Sequence, residues 1–344
     1  MGSVRSVFSV VKKKFIIMAD KIFNVGILGT GWIADKMATT LAGMTTARAY
    51  AVASRTQEKA DKFAAQFSIP KAYGSYEQLA DDKDVDLIYV ATPHSHHYDN
   101  SKMCLLKGKP VLCEKAFTVN AAQAEDLIRI SHERNVFLAE AIWTRYQPMR
   151  QMIADEVASG VIGAPQMLSA NLCYPNIALE RMYKPELAGG ALLDLGVYVL
   201  NFADMFFGYD IKKTSSHCIK YHTGVDIQES ITLEYNDGRI AVLWSSQLAK
   251  SDRQGVISGT DGFIIVENVN NPQSYSVFNQ DYQLIKKVAC PPQITGYEYQ
   301  VDCCINAINA GKIEPPEMPH DDILRIMRQM DALRKDWGVR LCDE

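Results

Sequence analysis

Apolar and polar positions follow a repeating pattern along the first 140 residues. Short, almost wholly apolar runs are typical of strands buried on both faces, and longer stretches with helical periodicity separate them. The predicted strands are 22–29, 47–54, 85–93, 109–115 and 135–141, and the predicted helices are 32–43, 56–67, 95–107 and 120–134. This alternation predicts a doubly wound parallel sheet, which is an α/β fold.

The pattern changes after Tyr146, where apolar residues recur at every second position. Such runs cover residues 165–174, 229–248 and 262–269, and an Asn236-Asp237-Gly238 turn divides the second run. Period-two alternation around a turn of this kind indicates antiparallel strands. We therefore expect a second domain built on an open, mostly antiparallel sheet, one face of which is left for a partner.

Composition narrows the class of protein. A chain of 344 residues with 47% apolar residues can bury a sizeable core, and its net charge of -4 argues against a nucleic-acid partner. We find no run of about 18 apolar residues, so we expect no membrane span. The eight cysteines lack a C-x-x-C pair, which is typical of structural thiols in a reducing compartment, so we expect a cytoplasmic protein.

The first 20 residues need a separate interpretation. Gly2 and Ser6 fit the loose pattern of a myristoylation site, and three lysines follow. However, Met18 is a natural chain start just before the first strand. We interpret residues 1–17 as an upstream extension without a catalytic part, and a lipid anchor is the alternative.

The first predicted strand runs into GTGWIA, residues 29–34. The spacing G-x-G-x-x-A allows a tight turn, a close approach of the backbone to a pyrophosphate, and close helix packing. Because a strand precedes the motif and a helix follows it, we predict dinucleotide binding, with a plain strand-to-helix turn as the alternative. The expected cofactor contacts are Gly29, Thr30, Gly31, Trp32 and Ile33.

The end of the second strand indicates which dinucleotide binds. An acid there would accept the ribose hydroxyls of NAD, but the chain has Ser54, Arg55 and Thr56. A guanidinium pairs well with a phosphate, so the sequence favours NADP, with NAD possible. The alternative is that Arg55 is an exposed charge beside the next helix.

Thr92 and Pro93 end the third predicted strand, and His94 and His97 follow it, at the carboxyl edge where doubly wound folds bind ligands. The histidines lack a metal-ligand spacing, so we expect no metal. We predict that His94 and His97 line the nicotinamide side of the cleft or hold its loop, and a purely structural role is the alternative. Glu114 and Lys115 emerge at the same edge, where a lysine can act on a substrate oxygen or a neighbouring acid.

These segments resemble a known family. GTGWIA, TPHSHH, EKAFTVN, EAIWTRYQP and GGALLDLGVY occur in the order and spacing of the Gfo/Idh/MocA oxidoreductases, and the chain is most similar to the dimeric dihydrodiol dehydrogenase and D-xylose dehydrogenase branch. The resemblance implies that Lys115 is catalytic and lies beside the nicotinamide. Ala116 stands where the family usually has proline, and Tyr198 where many members have histidine; tyrosine at this position resembles the diol and xylose branch.

The chemistry of Tyr198 supports this assignment. A phenol with a pKa near 10 is a poor base at neutral pH, but a lysine cation and an oxidised nicotinamide both favour the phenolate. Tyr198 can then take the alcohol proton as hydride leaves the carbon. Asp194, one helical turn earlier, is expected to position the substrate hydroxyl or Lys115. The alternative is a tyrosine of the core.

Trp143 and Arg145 lie where the chain leaves the first domain. Trp143 is predicted to stack on a sugar or ring face and Arg145 to bind hydroxyls; the alternative is that both seal the domain junction. The expected organisation is an extension (1–20), a dinucleotide-binding domain (21–142) and a substrate-binding and oligomerisation domain (143–344), whose C-terminal helices can pack back on the first domain. The helix predicted at 321–337 carries an apolar stripe that indicates core packing: Ile323, Met327, Met330 and Trp337.

Together these features predict an NADP-dependent oxidoreductase that acts on a sugar or a cyclic vicinal diol, with Tyr198 as base assisted by Lys115. The alternatives are a glycosidase that uses NAD for transient oxidation, and a non-catalytic cofactor-binding regulator. We also expect a homo-oligomer, such as a homodimer, that forms through the C-terminal sheet.

Overall fold

The computed structural model describes residues 21–341. The predictions for residues 1–20, and Cys342, lie outside this range. Two sheets organise the described chain, one of six strands and one of eight. The seven cysteines within residues 21–341 form no disulfide.

The first sheet is parallel throughout, in the order β3-β2-β1-β4-β5-β6. Its strands are β1 (Phe23–Leu28), β2 (Ala47–Ala53), β3 (Lys71–Tyr73), β4 (Leu87–Val90), β5 (Val111–Glu114) and β6 (Leu138–Ala141). Its helices are α1 (Trp32–Gly43), α2 (Gln57–Phe67), α3 (Tyr76–Asp81), α4 (His97–Leu106) and α5 (Ala121–Arg134). The predicted doubly wound α/β fold is confirmed. The strand order reverses between β1 and β4, which opens a crevice at their carboxyl ends.

The second sheet has the order β14-β13-β12-β11-β7-β10-β9-β8, and its neighbouring strands are antiparallel except for β7 and β10. Its strands are β7 (Pro165–Cys173), β8 (Ile211–Lys220), β9 (Asp226–Tyr235), β10 (Ile240–Ser246), β11 (Gly255–Gly259), β12 (Gly262–Glu267), β13 (Ser274–Asn279) and β14 (Leu284–Ala289). Between β9 and β10 the predicted turn forms, with Gly238 at a φ of 89°. Strand β8 escaped prediction because most of its side chains are exposed, so it lacks a clear alternation.

One apolar segment bears on the expectation of no membrane span. Within residues 21–341, Pro185–Phe207 is long and apolar enough to cross a membrane by length and composition, and 83% of its most apolar window is buried inside the fold. It includes a π-helical turn (Leu192–Gly196) and helix α8 (Val197–Phe207), which packs on β7 and β10. Its composition follows from this burial, because few polar side chains are tolerated there.

The remaining helices join the two parts of the chain: α6 (Pro148–Ala158), α7 (Glu180–Tyr183), α9 (Glu298–Asn309) and α10 (His320–Trp337). Helix α9 contributes Val301 and Cys304 to the core that also contains residues of the first sheet. Helix α10 packs against α5 and buries Ile323, Met327 and Met330 of the predicted stripe, while Trp337 is half-buried. The end of the chain is therefore packed against both domains.

Candidate active site

The glycine turn leaves room for a phosphate group. Gly29 has a φ of 108°, and a Cβ there would lie 2.7 Å from the carbonyl oxygen of Ala91, so a side chain is excluded. Gly31 precedes α1, and a Cβ there would have no described atom within 4 Å. No side chain caps the helix start, and Trp32 is 67% exposed. Free N–H groups and the positive end of the helix dipole thus face open space, which fits a pyrophosphate.

The end of β2 borders the same crevice. The Ser54 and Thr30 hydroxyl oxygens are 3.5 Å apart. Arg55 is exposed, and none of the ion pairs in residues 21–341 includes it. The Thr56 hydroxyl accepts a hydrogen bond from the Lys59 N–H and caps α2, which leaves its own O–H free to donate. Ser54, Arg55 and Thr56 therefore remain candidates for the adenosine side of a dinucleotide.

His94 and His97 hold the loop that carries Lys115. The ring nitrogens of His94 lie 3.2 Å from the Ala188 carbonyl oxygen and 3.1 Å from that of Lys115. Those of His97 lie 2.8 Å from the Ala116 oxygen and 2.9 Å from the Thr92 oxygen. Burial lowers the pKa of His94 to about 3 and that of His97 to about 4, so both rings are neutral near pH 7. With both nitrogens facing carbonyl groups, neither ring is free to act as a base.

Lys115 follows β5 and meets Asp194 from the second domain. Its Nζ lies 2.7 Å from the Asp194 carbonyl oxygen and 3.0 Å from Oδ1, and both side chains are largely buried. Burial by itself would raise the pKa of Asp194, but Lys115 and then Arg181 outweigh it and hold this pKa below its usual range. The peptide bond between Lys115 and Ala116 is cis. The two residues form a buried ion pair at the carboxyl edge of the first sheet.

Tyr198 lies beside this ion pair, one helical turn after Asp194. The Lys115 ammonium is 5.1 Å from the centre of its ring. Burial raises the pKa of Tyr198 well above its usual value, and Tyr297, Glu114 and Asp194 raise it further, while the Trp143 indole lowers it. Burial therefore outweighs any effect of Lys115, whose charge is also paired with Asp194, and a lower pKa with an oxidised nicotinamide in place stays a prediction.

Glu114 is a buried acid at the end of β5. It accepts hydrogen bonds from the Tyr89 hydroxyl and, at 3.2 Å, from the Lys115 backbone N–H. Burial is the largest cause that raises its pKa to about 7, and these two donors oppose the rise. This buried carboxyl therefore lies beside the lysine and within electrostatic reach of Tyr198.

Trp143 and Arg145 are neighbours in the sequence but have different surroundings. The Trp143 ring stacks on Tyr297, with ring centres 4.1 Å apart, which covers one face that was expected to meet a sugar. Arg145 is 1% exposed and pairs with Asp204 and Asp322, while its Nε donates to Asn201. The prediction that Arg145 binds substrate hydroxyls is wrong, because its donors are used inside the protein.

Three residues at the site escaped the sequence interpretation. The Asn176 Nδ2 donates to Asp194 Oδ2 at 3.2 Å, and an Arg181 guanidinium nitrogen lies 3.5 Å from Oδ1. Tyr297, just before α9, acts on the pKa of Tyr198. Asn176 and Tyr297 lie outside the helices and strands, and Arg181 lies in the short helix α7, so no pattern in the sequence distinguished these residues from surface positions. Within residues 21–341, no group of three or more His, Cys, Asp or Glu side chains is arranged to hold a metal ion.

Comparison with known proteins identifies the family. A family model described as an oxidoreductase family with an NAD-binding Rossmann fold matches residues 23–141, and a Gfo/Idh/MocA C-terminal domain matches residues 146–265. The chain belongs to the Gfo/Idh/MocA oxidoreductase family. This confirms the family predicted from the motifs, and with it an NAD(P)-binding Rossmann domain and an oxidoreductase activity.

Several Gfo/Idh/MocA relatives match along most of the chain. Trans-1,2-dihydrobenzene-1,2-diol dehydrogenase of Xenopus laevis is 36% identical, covering 91% of this chain and 98% of the relative. D-xylose 1-dehydrogenase (NADP(+)) of Hypocrea jecorina is 32% identical, covering 91% and 92%. The crystal structure of a 3-ketoreductase from Actinomadura kijaniata, in complex with NADP and TDP-benzene, has a TM-score of 0.83 and 26% identity, covering 92% and 98%. These similarities support a sugar or dihydrodiol oxidoreductase of this family.

Proposed function

We propose that this protein is an NADP-dependent dehydrogenase that transfers hydride between a sugar or cyclic vicinal diol and the nicotinamide, with Tyr198 as the base and Lys115 assisting. The observation that carries the proposal is the cluster of Lys115, Asp194 and Tyr198 at the carboxyl edge of the first sheet. The glycine turn ends β1 at this same edge. A doubly wound fold binds its dinucleotide there, so a reacting substrate is expected beside it.

The preference for NADP rests on Arg55 and Ser54. The exposed guanidinium has no carboxylate partner within residues 21–341, and a 2'-phosphate would supply one. The Ser54 hydroxyl, near that of Thr30, adds a donor. The names of two similar proteins agree with this preference, since one is an NADP(+)-dependent xylose dehydrogenase and the other was solved with NADP.

The side chains at the site have separate roles in the proposed reaction. NADP supplies the hydride acceptor when it is bound. The Lys115 ammonium uses two of its three N–H groups on Asp194, which leaves one for the oxygen of the reacting alcohol. Tyr198 takes the hydroxyl proton of that alcohol. Asp194 fixes the direction of Lys115 and neutralises its charge.

The raised pKa of Tyr198 means that the phenol must lose its proton before it can act as a base. With Lys115 compensated by Asp194, burial keeps the phenol protonated at neutral pH. An additional positive charge in the cleft, such as that of an oxidised nicotinamide, would favour the phenolate. Proton removal is thus coupled to the filling of the cleft, which suits a base that acts only on bound substrate.

A spectrophotometric panel tests the proposed function. The purified protein is mixed with NADP or NAD and with D-xylose, other aldoses and trans-dihydrodiols, and reduced cofactor is followed at 340 nm. A dehydrogenase accumulates NADPH. Release of free sugar from a glycoside without net NADPH would indicate a glycosidase, and cofactor binding with neither product would indicate a regulator.

We also propose that the chain forms a homodimer through the exposed face of the second sheet. Strand pairing puts Met167, Ile219 and Trp244 on one face, and they are 50%, 45% and 39% exposed. Large apolar side chains on one sheet face are typical of a protein interface.

The unpaired thiols of residues 21–341 support the proposal that the protein lies in a reducing compartment, the cytoplasm.

A further inference from the structure

We propose that Asn176 recognises a second hydroxyl group of the substrate, adjacent to the one that is oxidised. This inference rests on the proposed function and deepens it, because it makes a vicinal pair of hydroxyls, as in a sugar or a diol, the feature that the site selects. Asn176 lies in the segment that follows β7, beside Asp194.

The Asn176 amide has a defined orientation. Its Nδ2 donates to Asp194 Oδ2 at 3.2 Å, and the reverse orientation would bring an amide oxygen against a carboxylate, which is repulsive. The Asn176 backbone N–H also bonds to the carbonyl oxygens of Tyr174, at 2.8 Å, and Gln247, at 3.2 Å. The amide oxygen Oδ1 is therefore directed away from Asp194 by contacts on both sides.

This oxygen has no hydrogen-bond donor among residues 21–341, although it is buried. A buried acceptor without a partner is unfavourable, so native proteins rarely leave one unless a ligand or water satisfies it. A hydroxyl group is a suitable donor. Because Oδ1 is closed off from solvent, the proposal requires that substrate binding opens a path to it.

Asp194 brings a donor from Lys115 and an acceptor from Asn176 to neighbouring positions. The two oxygens of one carboxylate, that of Asp194, contact Lys115 and Asn176. The lysine and the asparagine are thus neighbouring groups, one with a free donor and one with a free acceptor. The reacting oxygen accepts from Lys115, and the next hydroxyl along the ring donates to Asn176 Oδ1. A substrate with a single hydroxyl leaves Oδ1 without a partner.

Two variants of nearly equal size separate the two ends of the amide. Asn176→Asp keeps an acceptor and loses the donor to Asp194, whereas Asn176→Leu loses both. We would measure kcat/KM with NADP for trans-cyclohexane-1,2-diol and for cyclohexanol. Loss of one hydrogen bond should reduce the preference for the diol about tenfold in Asn176→Leu. In Asn176→Asp both rates should fall together, since two carboxylates repel, and the preference should remain.

Controls make the result decisive. Asn309→Leu changes an exposed asparagine at the end of α9 and should alter neither rate. If Asn176→Leu unfolds at a lower temperature than the parent, Asn176→Ala is used to compare the rates with the two alcohols. An equal loss on both alcohols in the Leu variant, or loss of the preference in the Asp variant, would overturn the assignment.

Binding separates this inference from the proposed function. If the parent protein oxidises neither alcohol, the proposed activity toward this substrate class fails. Calorimetric titration of the same two alcohols into NADP-loaded protein then tests Asn176 directly. Tighter binding of the diol that is lost in Asn176→Leu supports the inference, and equal binding of the two alcohols to the parent overturns it.

Discussion

The ion pair between Lys115 and Asp194 gives a quantitative prediction for Lys115→Met. The substitution leaves the Asp194 carboxylate buried without its main cation. Breaking a buried pair from one side costs about 3–5 kcal/mol. Arg181 lies 3.5 Å from the same carboxylate, but it is 46% exposed and screened by solvent, so it offsets only part of the loss. We expect the free energy of unfolding to fall by about 3 kcal/mol at pH 7, toward the lower end of that range.

This loss should depend on pH. In the parent, the pKa of Asp194 is below its unfolded value, so the carboxylate stabilises the fold above that value, and this contribution is lost as the pH falls. In Lys115→Met, this pKa should rise by about two units in all, from below its unfolded value to about one unit above it, since each unit corresponds to about 1.4 kcal/mol. The buried carboxylate then destabilises the folded variant at neutral pH, and this destabilisation is lost as the pH falls through the raised pKa and the carboxylate is protonated. The difference between the two proteins should shrink from pH 7 toward pH 4.

Urea unfolding of both proteins at pH 7 and at pH 4.5 measures this difference. The double variant Lys115→Met/Asp194→Asn removes the uncompensated charge and should recover much of the stability, while turnover stays about 10² or more below that of the parent. An equal loss of stability at both pH values, or a double variant as unstable as the single one, would refute the reasoning.

Four further predictions test other parts of the molecule. Arg55→Asp should weaken NADP binding by about 10- to 100-fold and leave NAD binding little changed, as fluorescence titration would show, because a charge-assisted bond to phosphate is lost; tighter NAD binding by the parent would contradict it. Tyr198→Phe should lower kcat by about 10² or more with little change in NADP affinity; turnover within a few-fold of the parent would assign the base elsewhere. His94 and His97 have pKa values far below the unfolded value of 6.5, so the unfolded chain binds more protons than the folded one below pH 6.5. The free energy of unfolding should therefore fall as the pH drops from 6.5 toward 4, by about 1.4 kcal/mol per pH unit for each ring. If His97→Gln leaves this pH dependence unchanged in urea unfolding, His97 does not contribute to it. Trp244→Asp should convert a dimer into a monomer in sedimentation velocity, and an unchanged sedimentation coefficient would exclude this sheet face.

Residues whose role depends on local backbone geometry could be predicted from the sequence. The turn at Gly29 needs a positive φ, and the helix start needs an open position at Gly31. Both requirements select glycine within a stretch of six residues, so the sequence motif reveals them. The hydrophobic periodicities identified both sheets for the same reason, since strand and helix repeats depend on near neighbours. The motif around Lys115 located the end of β5. Short or exposed elements such as β3 and β8 were missed because their repeats are weak.

Only the tertiary structure decided what each side chain contacts. Trp143 and Arg145 looked equally suited to a substrate, yet Arg145 is buried against Asp204 and Asp322 from α8 and α10, some 60 and 180 residues away. Tyr198 carries the residue type of a base, but the charge that should activate it is held by Asp194. Asn176 reaches this carboxylate from a loop that shows no pattern. Burial and charge pairing are properties of groups brought together by packing over long sequence distances, so they have no local signature in the chain.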